Sequence, residues 1–171
     1  KNTFGWTFDG YWEDIGTIRS FYDTNLELAE TKPRFNFFDP RAPIYTHSRF
    51  LPGTTVNNCT VEKALIADGC RIEDSVIRKS VIGLRSQIGT GCYISRSIIM
   101  GLDYYDNPSL QAAAKDAPPL GVGDGCQIRG AILDKNVRCG KNVVISEFPE
   151  GTEIDNELYY VRDGIVVIPK G

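Results

Sequence analysis

The longest regular pattern in the chain is the recurrence of single aliphatic residues at steps of five or six positions. Such steps fit neither the 3.6-residue period of an α-helix nor the two-residue period of a β-strand. They are typical of a hexapeptide solenoid, in which each short strand contributes one inward side chain before the chain turns a corner. The pattern predicts a mainly β fold, a parallel β-helix over residues 55–171. The predicted inward positions are Val61, Ile66, Ile72, Ile77, Ile82, Ile88, Ile94 and Ile99, then Val122, Ile128, Leu133, Cys139 and Ile145.

Glycine and cysteine positions support the same repeat. Cysteine follows glycine, four residues after an inward aliphatic, and Cys139 takes an inward position itself. We expect these thiols to stack inside the coil as small hydrophobic side chains, and no Cys-x-x-Cys pair indicates a metal or redox site. Glycine also follows the inward residue, where corners need a positive φ or a close approach of two backbones. The positions concerned are Cys70, Cys92 and Cys126, and Gly83, Gly89 and Gly123.

Residues 100–121 interrupt the repeat. The interruption begins with Met-Gly-Leu-Asp-Tyr-Tyr-Asp, contains an alanine run and ends at Pro118-Pro119. It predicts an excursion from one coil that returns at Leu120. Insertions in solenoids lie on one face and often carry function. A surface loop without a function is the alternative that the pattern leaves open.

The residues ahead of the repeat divide into two segments. Thr17 is a predicted helix N-cap, a one-sided apolar stripe follows it, and the helix should end before Pro33. Residues 33–54 hold four of the nine prolines and show no periodicity, which predicts a linker. We therefore divide the chain into residues 1–32, the linker 33–54 and the β-helix 55–171.

Composition and charge exclude several classes of function. The net charge of −3 argues against general nucleic-acid binding, because a phosphate backbone needs clustered positive charge. No apolar run approaches the roughly 18 residues of a membrane span, so we expect neither nucleic acid nor a membrane as a partner. The one histidine, His47, precedes the repeat, which excludes a histidine metal set and disfavours the coil histidine of hexapeptide acyltransferases. Met100 is the only methionine, and we expect the chain to be a piece of a longer protein.

Three segments together resemble ADP-glucose pyrophosphorylase (glucose-1-phosphate adenylyltransferase). They are Gly-Tyr-Trp-Glu-Asp-Ile-Gly-Thr-Ile at 10–18, Pro-Ile-Tyr-Thr-His-Ser-Arg-Phe-Leu-Pro at 43–52, and Met-Gly-Leu-Asp-Tyr-Tyr at 100–105, where Leu102 replaces the family's usual alanine. Ile-Leu-Asp-Lys-Asn and Gly-Ile-Val-Val-Ile follow nearer the C-terminus, so the resemblance covers nearly the whole chain. It implies a left-handed β-helix that regulates and assembles the enzyme, preceded by the C-terminal end of the catalytic nucleotidyltransferase domain in residues 1–32.

The resemblance also implies the chemistry of the full-length enzyme. ATP and glucose 1-phosphate give ADP-glucose and pyrophosphate, with Mg²⁺ as the cofactor, in the first committed step of glycogen and starch synthesis. The family's Gly-rich phosphate loop is absent from this sequence, so we expect the fragment alone to be inactive and to hold no cofactor. By its match to the family's Trp-x-Asp-x-Gly-Thr motif, Asp14 is the candidate magnesium ligand. Its alternative role is structural: a carboxylate near the N-terminus of a helix interacts favourably with the helix dipole.

The resemblance further implies effectors and partners. Phosphorylated metabolites or phosphate set the activity of the family, and the subunits form homo- or hetero-tetramers. By motif match, Arg49, Lys135 and Lys170 are the effector-binding candidates. Converging cations suit charge-assisted hydrogen bonds to phosphate, and an ordinary surface cation is the alternative for each.

Two further questions stay open at this point. A purely structural solenoid of a related sugar nucleotidyltransferase, without effector binding, is the alternative function. The resemblance implies the cytoplasm for a bacterial source, or the plastid stroma if the protein comes from a plant or alga.

Overall fold

Short strands that turn a corner after a few residues build the central body of the protein. The computed structural model describes residues 2–107, 109 and 117–171. Helix α1 (Ile18–Glu27) precedes the strands. The strands are β1 (Thr55–Asn57), β2 (Thr60–Ile66), β3 (Arg71–Glu73), β4 (Val76–Ile82), β5 (Gln87–Ile88), β6 (Tyr93–Ser95), β7 (Ile98–Ile99), β8 (Gly121–Val122), β9 (Gln127–Arg129), β10 (Ala131–Leu133), β11 (Arg138–Cys139), β12 (Val144–Ile145), β13 (Ile154–Asp155), β14 (Tyr160–Arg162) and β15 (Ile165–Ile168).

The strands lie on three faces. The first face is the five-stranded sheet β1-β3-β5-β8-β11, whose neighbours all pair in parallel. The second face contains the first halves of β2 and β4, followed by β6, β9 and β12. The third face contains the second halves of β2 and β4, followed by β7 and β10. Strands β2 and β4 bend between faces at Lys63 and Lys79, whose φ values of 49° and 44° are left-handed.

The inward aliphatic residues stack in register from one coil to the next. On the second face Ile77 pairs with Ile94, and Ile94 with Ile128 across the excursion. All three side chains are fully buried. Val61 pairs with Ile77 in the same column but is 42% exposed, because it lies in the end coil. The parallel β-helix is confirmed, and the excursion lengthens the chain without shifting the register.

The buried thiols confirm the predicted stacking. Cys139 pairs with Val122 in the column of the first face, and burial raises its pKa to about 11. The other three cysteines lie at a corner and direct their thiols at a glycine carbonyl oxygen of the neighbouring coil. The distances from Sγ to the oxygen are 3.1, 3.2 and 3.1 Å for Cys70 to Gly83, Cys92 to Gly123 and Cys126 to Gly140.

The two reasons for glycine at the corners belong to different glycines. An added Cβ on Gly83 would come within 2.4 Å of the Met100 carbonyl oxygen, so close backbone approach requires glycine there. Positive φ instead belongs to the glycines that precede the corner cysteines, such as Gly91 at 69°. Left-handed backbone costs other L-residues about 1–2 kcal/mol, which explains the repeated Gly-Cys element.

The C-terminal residues complete the last coil. After β12 the chain forms the antiparallel strands β13, β14 and β15. Strand β15 then pairs in parallel with β10, and Ile168 stacks on Leu133. Ile168 therefore occupies the position on the third face that the regular repeat would have filled.

Helix α1 packs on the outer surface of the third face. The side chain of Thr17 accepts a hydrogen bond from the backbone N–H of Ser20, which confirms the predicted N-cap. Tyr22 is 6% exposed and packs in an apolar cluster with outward side chains of the strands. These side chains are Ile98, Ile132, Ile165 and Val167. In the part of the chain that the structure describes, no helix has the length and apolar character to cross a membrane.

Candidate functional site

Two of the candidate effector residues emerge side by side from the third face. Lys135 follows β10, and Lys170 follows β15, its parallel neighbour. Backbone hydrogen bonds continue beyond the strands, because the Asp134 N–H donates to the Ile168 carbonyl at 3.0 Å and the Gly171 N–H to the Lys135 carbonyl at 3.3 Å. Residues far apart in sequence are thus fixed at one corner of the β-helix.

Both lysines bind the carboxylate of Asp103, which lies at the start of the excursion. Lys135 Nζ is 2.7 Å from Asp103 Oδ1, and Lys170 Nζ is 3.1 Å from Oδ2. The hydrogen bond from Lys135, followed by that from Lys170, holds the pKa of Asp103 well below its ordinary range. The carboxylate therefore stays ionised and bridges the two ammonium groups.

Asn136 fixes Asp103 at this position. Its side-chain Oδ1 accepts from the Asp103 backbone N–H at 2.9 Å, and its Nδ2 donates to Asp103 Oδ2 at 3.1 Å. Asn136 is 4% exposed and has φ of 61°, a conformation that asparagine tolerates better than most residues. We name Asp103, Lys135, Asn136 and Lys170 the Asp103 cluster.

The Asp103 cluster carries excess positive charge and leaves N–H donors of both lysines without a partner inside the cluster. Two ammonium groups and one carboxylate leave a net charge of +1. The side chains of Lys135 and Lys170 are 43% and 56% exposed, so solvent reaches both. Each ammonium has three N–H donors, and a single one from each is used on Asp103. Phosphate oxygens are suitable acceptors for the remaining donors.

Arg49 lies apart from these contacts. Its side chain is exposed in the stretch before β1, and within the described residues no hydrogen bond or ion pair joins it to the Asp103 cluster. Leu51, two residues further on, lies against Gly69, whose carbonyl oxygen accepts a hydrogen bond of 2.9 Å from the Tyr105 hydroxyl. The excursion and the end of the linker thus meet at Gly69, at the corner between β2 and β3.

A groove of about 470 Å³ opens where the linker meets the excursion. Pro52 and Gly53 line it from the linker, Tyr105 from the excursion, and Arg71 from the first face. Arg71 and Asp106 both line the groove, so its wall contains side chains of both charge types. Arg49 lies three residues before Pro52 in the same linker.

Asp14 is exposed and interacts locally. Its Oδ1 accepts a hydrogen bond of 3.1 Å from the backbone N–H of Gly16, just ahead of the Thr17 cap. Across residues 2–107, 109 and 117–171, no group of three His, Cys, Asp or Glu side chains is placed to hold a metal. Mg²⁺ is usually held by one or two carboxylates together with substrate phosphates and water, and the exposed carboxylate of Asp14 is a ligand of that kind.

Asp103 and Asn136 are functional candidates that the sequence pattern alone does not single out. Both lie inside motifs that carry the family resemblance, next to or near residues that were assigned a role. The available signal is the acidic residue in Met-Gly-Leu-Asp-Tyr-Tyr and the asparagine that directly follows Lys135. Neither indicates that the two motifs meet, because the contact depends on the path of the excursion.

The comparisons with known proteins agree with this architecture. The model of the GLGC left-handed parallel β-helix domain matches residues 49–171. A relative from Zea mays, glucose-1-phosphate adenylyltransferase large subunit 1, chloroplastic/amyloplastic, is 44% identical over 169 residues. The match covers 95% of this chain and 32% of the relative, so the chain spans about a third of the relative's length. The chain therefore belongs to the GLGC left-handed parallel β-helix family, as its resemblance to ADP-glucose pyrophosphorylase predicts.

Proposed function

We propose that this chain is the regulatory and oligomerisation part of a glucose-1-phosphate adenylyltransferase. The full-length enzyme makes ADP-glucose and pyrophosphate from ATP and glucose 1-phosphate with Mg²⁺. The family match and the identity to the maize large subunit support this proposal. Residues 1–32 end the catalytic domain, 33–54 form the linker, and 55–171 form the β-helix. Catalysis and magnesium binding, including the role of Asp14, belong to the longer protein, and the fragment alone is inactive.

The Asp103 cluster is the proposed effector site. The observation that carries this proposal is the convergence of Lys135 Nζ and Lys170 Nζ on one carboxylate, at 2.7 and 3.1 Å. Two ammonium groups that share one acceptor are spaced to share another. The ligand class is a phosphorylated metabolite of three to six carbons, or inorganic phosphate.

The same strands link this site to the preceding domain. Strand β15 ends near Lys170, and the turn before it carries Asp163, whose Oδ2 is 2.8 Å from Arg19 Nε on helix α1. Val167 of β15 packs beside Tyr22 of the same helix. A shift of β15 on effector binding therefore reaches the segment that leads to the catalytic domain.

Binding measurements on matched lysine variants test the effector site. In the full-length tetramer, calorimetry with phosphate and 3-phosphoglycerate compares the wild type with Lys135→Ala, Lys170→Ala and Arg49→Ala. The control is Lys141→Ala, which removes a lysine paired with Asp124 at 2.9 Å elsewhere on the β-helix. Each lost charge-assisted bond costs roughly 1.5–3 kcal/mol, or about 10- to 150-fold in affinity. Unchanged affinity in both Lys135→Ala and Lys170→Ala would remove the site from this cluster.

A purely structural solenoid is the second candidate. It is favoured by the bridge itself, because Asp103 already pairs with both lysines and ties the excursion to β10 and β15. On this account the β-helix binds no effector, so the lysine variants lose stability and leave any phosphate binding by the full-length enzyme unchanged. Calorimetry and thermal unfolding of the same variants separate the two functions.

Assembly and location complete the proposal. The tetramer is the expected state of the full-length enzyme, as a homo- or hetero-oligomer. The chloroplastic/amyloplastic designation of the maize relative supports the plastid stroma for a plant or algal source, and the cytoplasm is the corresponding compartment in bacteria. Sedimentation of the full-length protein at micromolar concentration tests the assembly, and a monomer there would contradict it.

A further inference from the structure

The carboxylate of Asp103 occupies the position between the two lysines that an effector phosphate needs. Its oxygens accept hydrogen bonds from the two ammonium groups at 2.7 and 3.1 Å, both within ordinary hydrogen-bond distance. We propose that Asp103 is an internal anion that competes with the effector phosphate for Lys135 and Lys170, and so determines the affinity and charge selectivity of the site. This inference rests on the proposed function of the Asp103 cluster as an effector site.

Competition follows from the chemistry of the two acceptors. Carboxylate and phosphate oxygens both bind ammonium N–H groups. A phosphate that bridges the lysines must either take the donors that Asp103 uses or bind beside a negative charge. Both routes lower its affinity, the first by the lost ion pairs and the second by like-charge repulsion.

Asn136 makes the competitor effective. It holds Asp103 by the backbone at 2.9 Å and by the carboxylate at 3.1 Å, from a side chain that is almost fully buried. A preorganised carboxylate loses little conformational entropy when it binds the lysines. Weak monoanions therefore fail to replace it, whereas a dianionic phosphate ester offers more charge and more acceptor oxygens. Asp103 thereby discriminates against monoanions.

Removal of the charge gives a distinct signature. Asp103→Asn retains the size of the side chain and the backbone bond to Asn136, and it changes the net charge of the cluster from +1 to +2. We expect phosphate affinity to rise at least about fivefold, which corresponds to the cost of a like charge 4 Å away in bulk water. The salt dependence of binding steepens, because the ligand meets more uncompensated positive charge.

The test is calorimetry with inorganic phosphate, 3-phosphoglycerate and acetate on the full-length tetramer at fixed ionic strength. The variants are Asp103→Asn, Asp103→Ser, and Asp103→Asn combined with Lys135→Ala. Asp124→Asn is the matched control, because it removes the same charge from an ion pair with a different lysine, Lys141. We expect both Asp103 variants to bind phosphate more tightly and acetate measurably, the double variant to lose that gain, and the control to match the wild type.

The possible failures are distinguishable. Unchanged or weaker binding in the Asp103 variants, with Lys135→Ala and Lys170→Ala still weakening the wild type, would overturn the competition and leave the effector site intact. Insensitivity to the lysines themselves would reject the effector site. A readout on the wild type does not depend on any variant folding. The ¹³C signal of the Asp103 carboxyl must shift on phosphate addition, because the phosphate either removes its lysine partners or brings a like charge beside it. An unmoved signal at saturation would contradict both routes and hence the competition.

Discussion

The hydroxyl of Tyr22, on the helix that precedes the β-helix, donates a hydrogen bond to the backbone carbonyl oxygen of Arg96, which lies between β6 and β7. Two ion pairs extend this attachment along the solenoid. Glu30 Oε2 lies 2.7 Å from Lys63 Nζ near the first coil, and Arg19 Nε lies 2.8 Å from Asp163 Oδ2 in the C-terminal hairpin. The segment that leads from the proposed catalytic domain is thereby attached at several points along the face that positions Lys135 and Lys170.

The first prediction concerns this attachment. Tyr22→Ala removes a buried aromatic ring and should lower the free energy of unfolding by roughly 3–5 kcal/mol. Tyr22→Phe removes only the hydroxyl and should cost roughly 0.5–1.5 kcal/mol. Urea unfolding followed by circular dichroism measures both values. Equal stability of Tyr22→Ala and the wild type would show that the helix does not pack on the β-helix in solution.

The second prediction concerns the close approach of neighbouring coils. Gly83→Ala places a Cβ 2.4 Å from the carbonyl oxygen of Met100. This oxygen belongs to the backbone of the neighbouring coil, which cannot move away easily. We expect a loss of roughly 1–3 kcal/mol from overpacking. Gly53→Ala is the control, because its Cβ meets no atom within 4 Å. Thermal unfolding that shows the two variants equally stable would contradict the packing of these coils.

The third prediction concerns the thiols. Burial raises the pKa of Cys70, Cys92, Cys126 and Cys139. These thiols therefore form little reactive thiolate at pH 8, and a reagent in solvent does not reach them. Cys59 is partly exposed and serves as the internal control. We expect a thiol reagent to label Cys59 in native buffer and the other four only on unfolding. Mass spectrometry after timed labelling gives the result, and rapid native labelling of all five would contradict it.

The fourth prediction concerns the pH dependence of the Asp103 bridge. Because the folded-state pKa of Asp103 lies below its unfolded value, the bridge contributes stability above the unfolded pKa of about 3.9. That contribution is lost as the pH falls from there towards the lowered pKa. The difference in melting temperature between the wild type and Asp103→Asn should therefore be constant near neutral pH and shrink below pH 4. A difference that grows on acidification would have the wrong sign.

The sequence predicts the columns of the β-helix well, because the five- and six-residue steps directly set which residues stack. It does not predict that β15 completes the last coil. Residues 165–168 form a continuous apolar run without the repeat, and their position depends on the free edge of β10. Ile168 is the last residue in the inward stack of the third face because β15 pairs with β10 in the folded protein.

The candidate site is predictable only in part. Motif resemblance identifies Lys135 and Lys170, and the structure brings them together. Their common partner Asp103 is not evident from the sequence, because its contact with Asn136 depends on how the excursion leaves its corner. Arg49 shows the opposite case: it lies in a matching motif, yet in the described parts of the chain no hydrogen bond connects it to the cluster.

The most direct test of the central claim is the activation of ADP-glucose synthesis by 3-phosphoglycerate in the full-length enzyme. The wild type is compared with the double variant Lys135→Ala/Lys170→Ala and with the control Lys141→Ala. If the two ammonium groups hold the effector phosphate, the half-activating concentration rises by about 100-fold or more in the double variant, since each charge-assisted bond contributes at least about tenfold, and stays at the wild-type value in the control. A half-activating concentration that is the same in all three proteins would contradict the claim that this corner of the β-helix binds the effector.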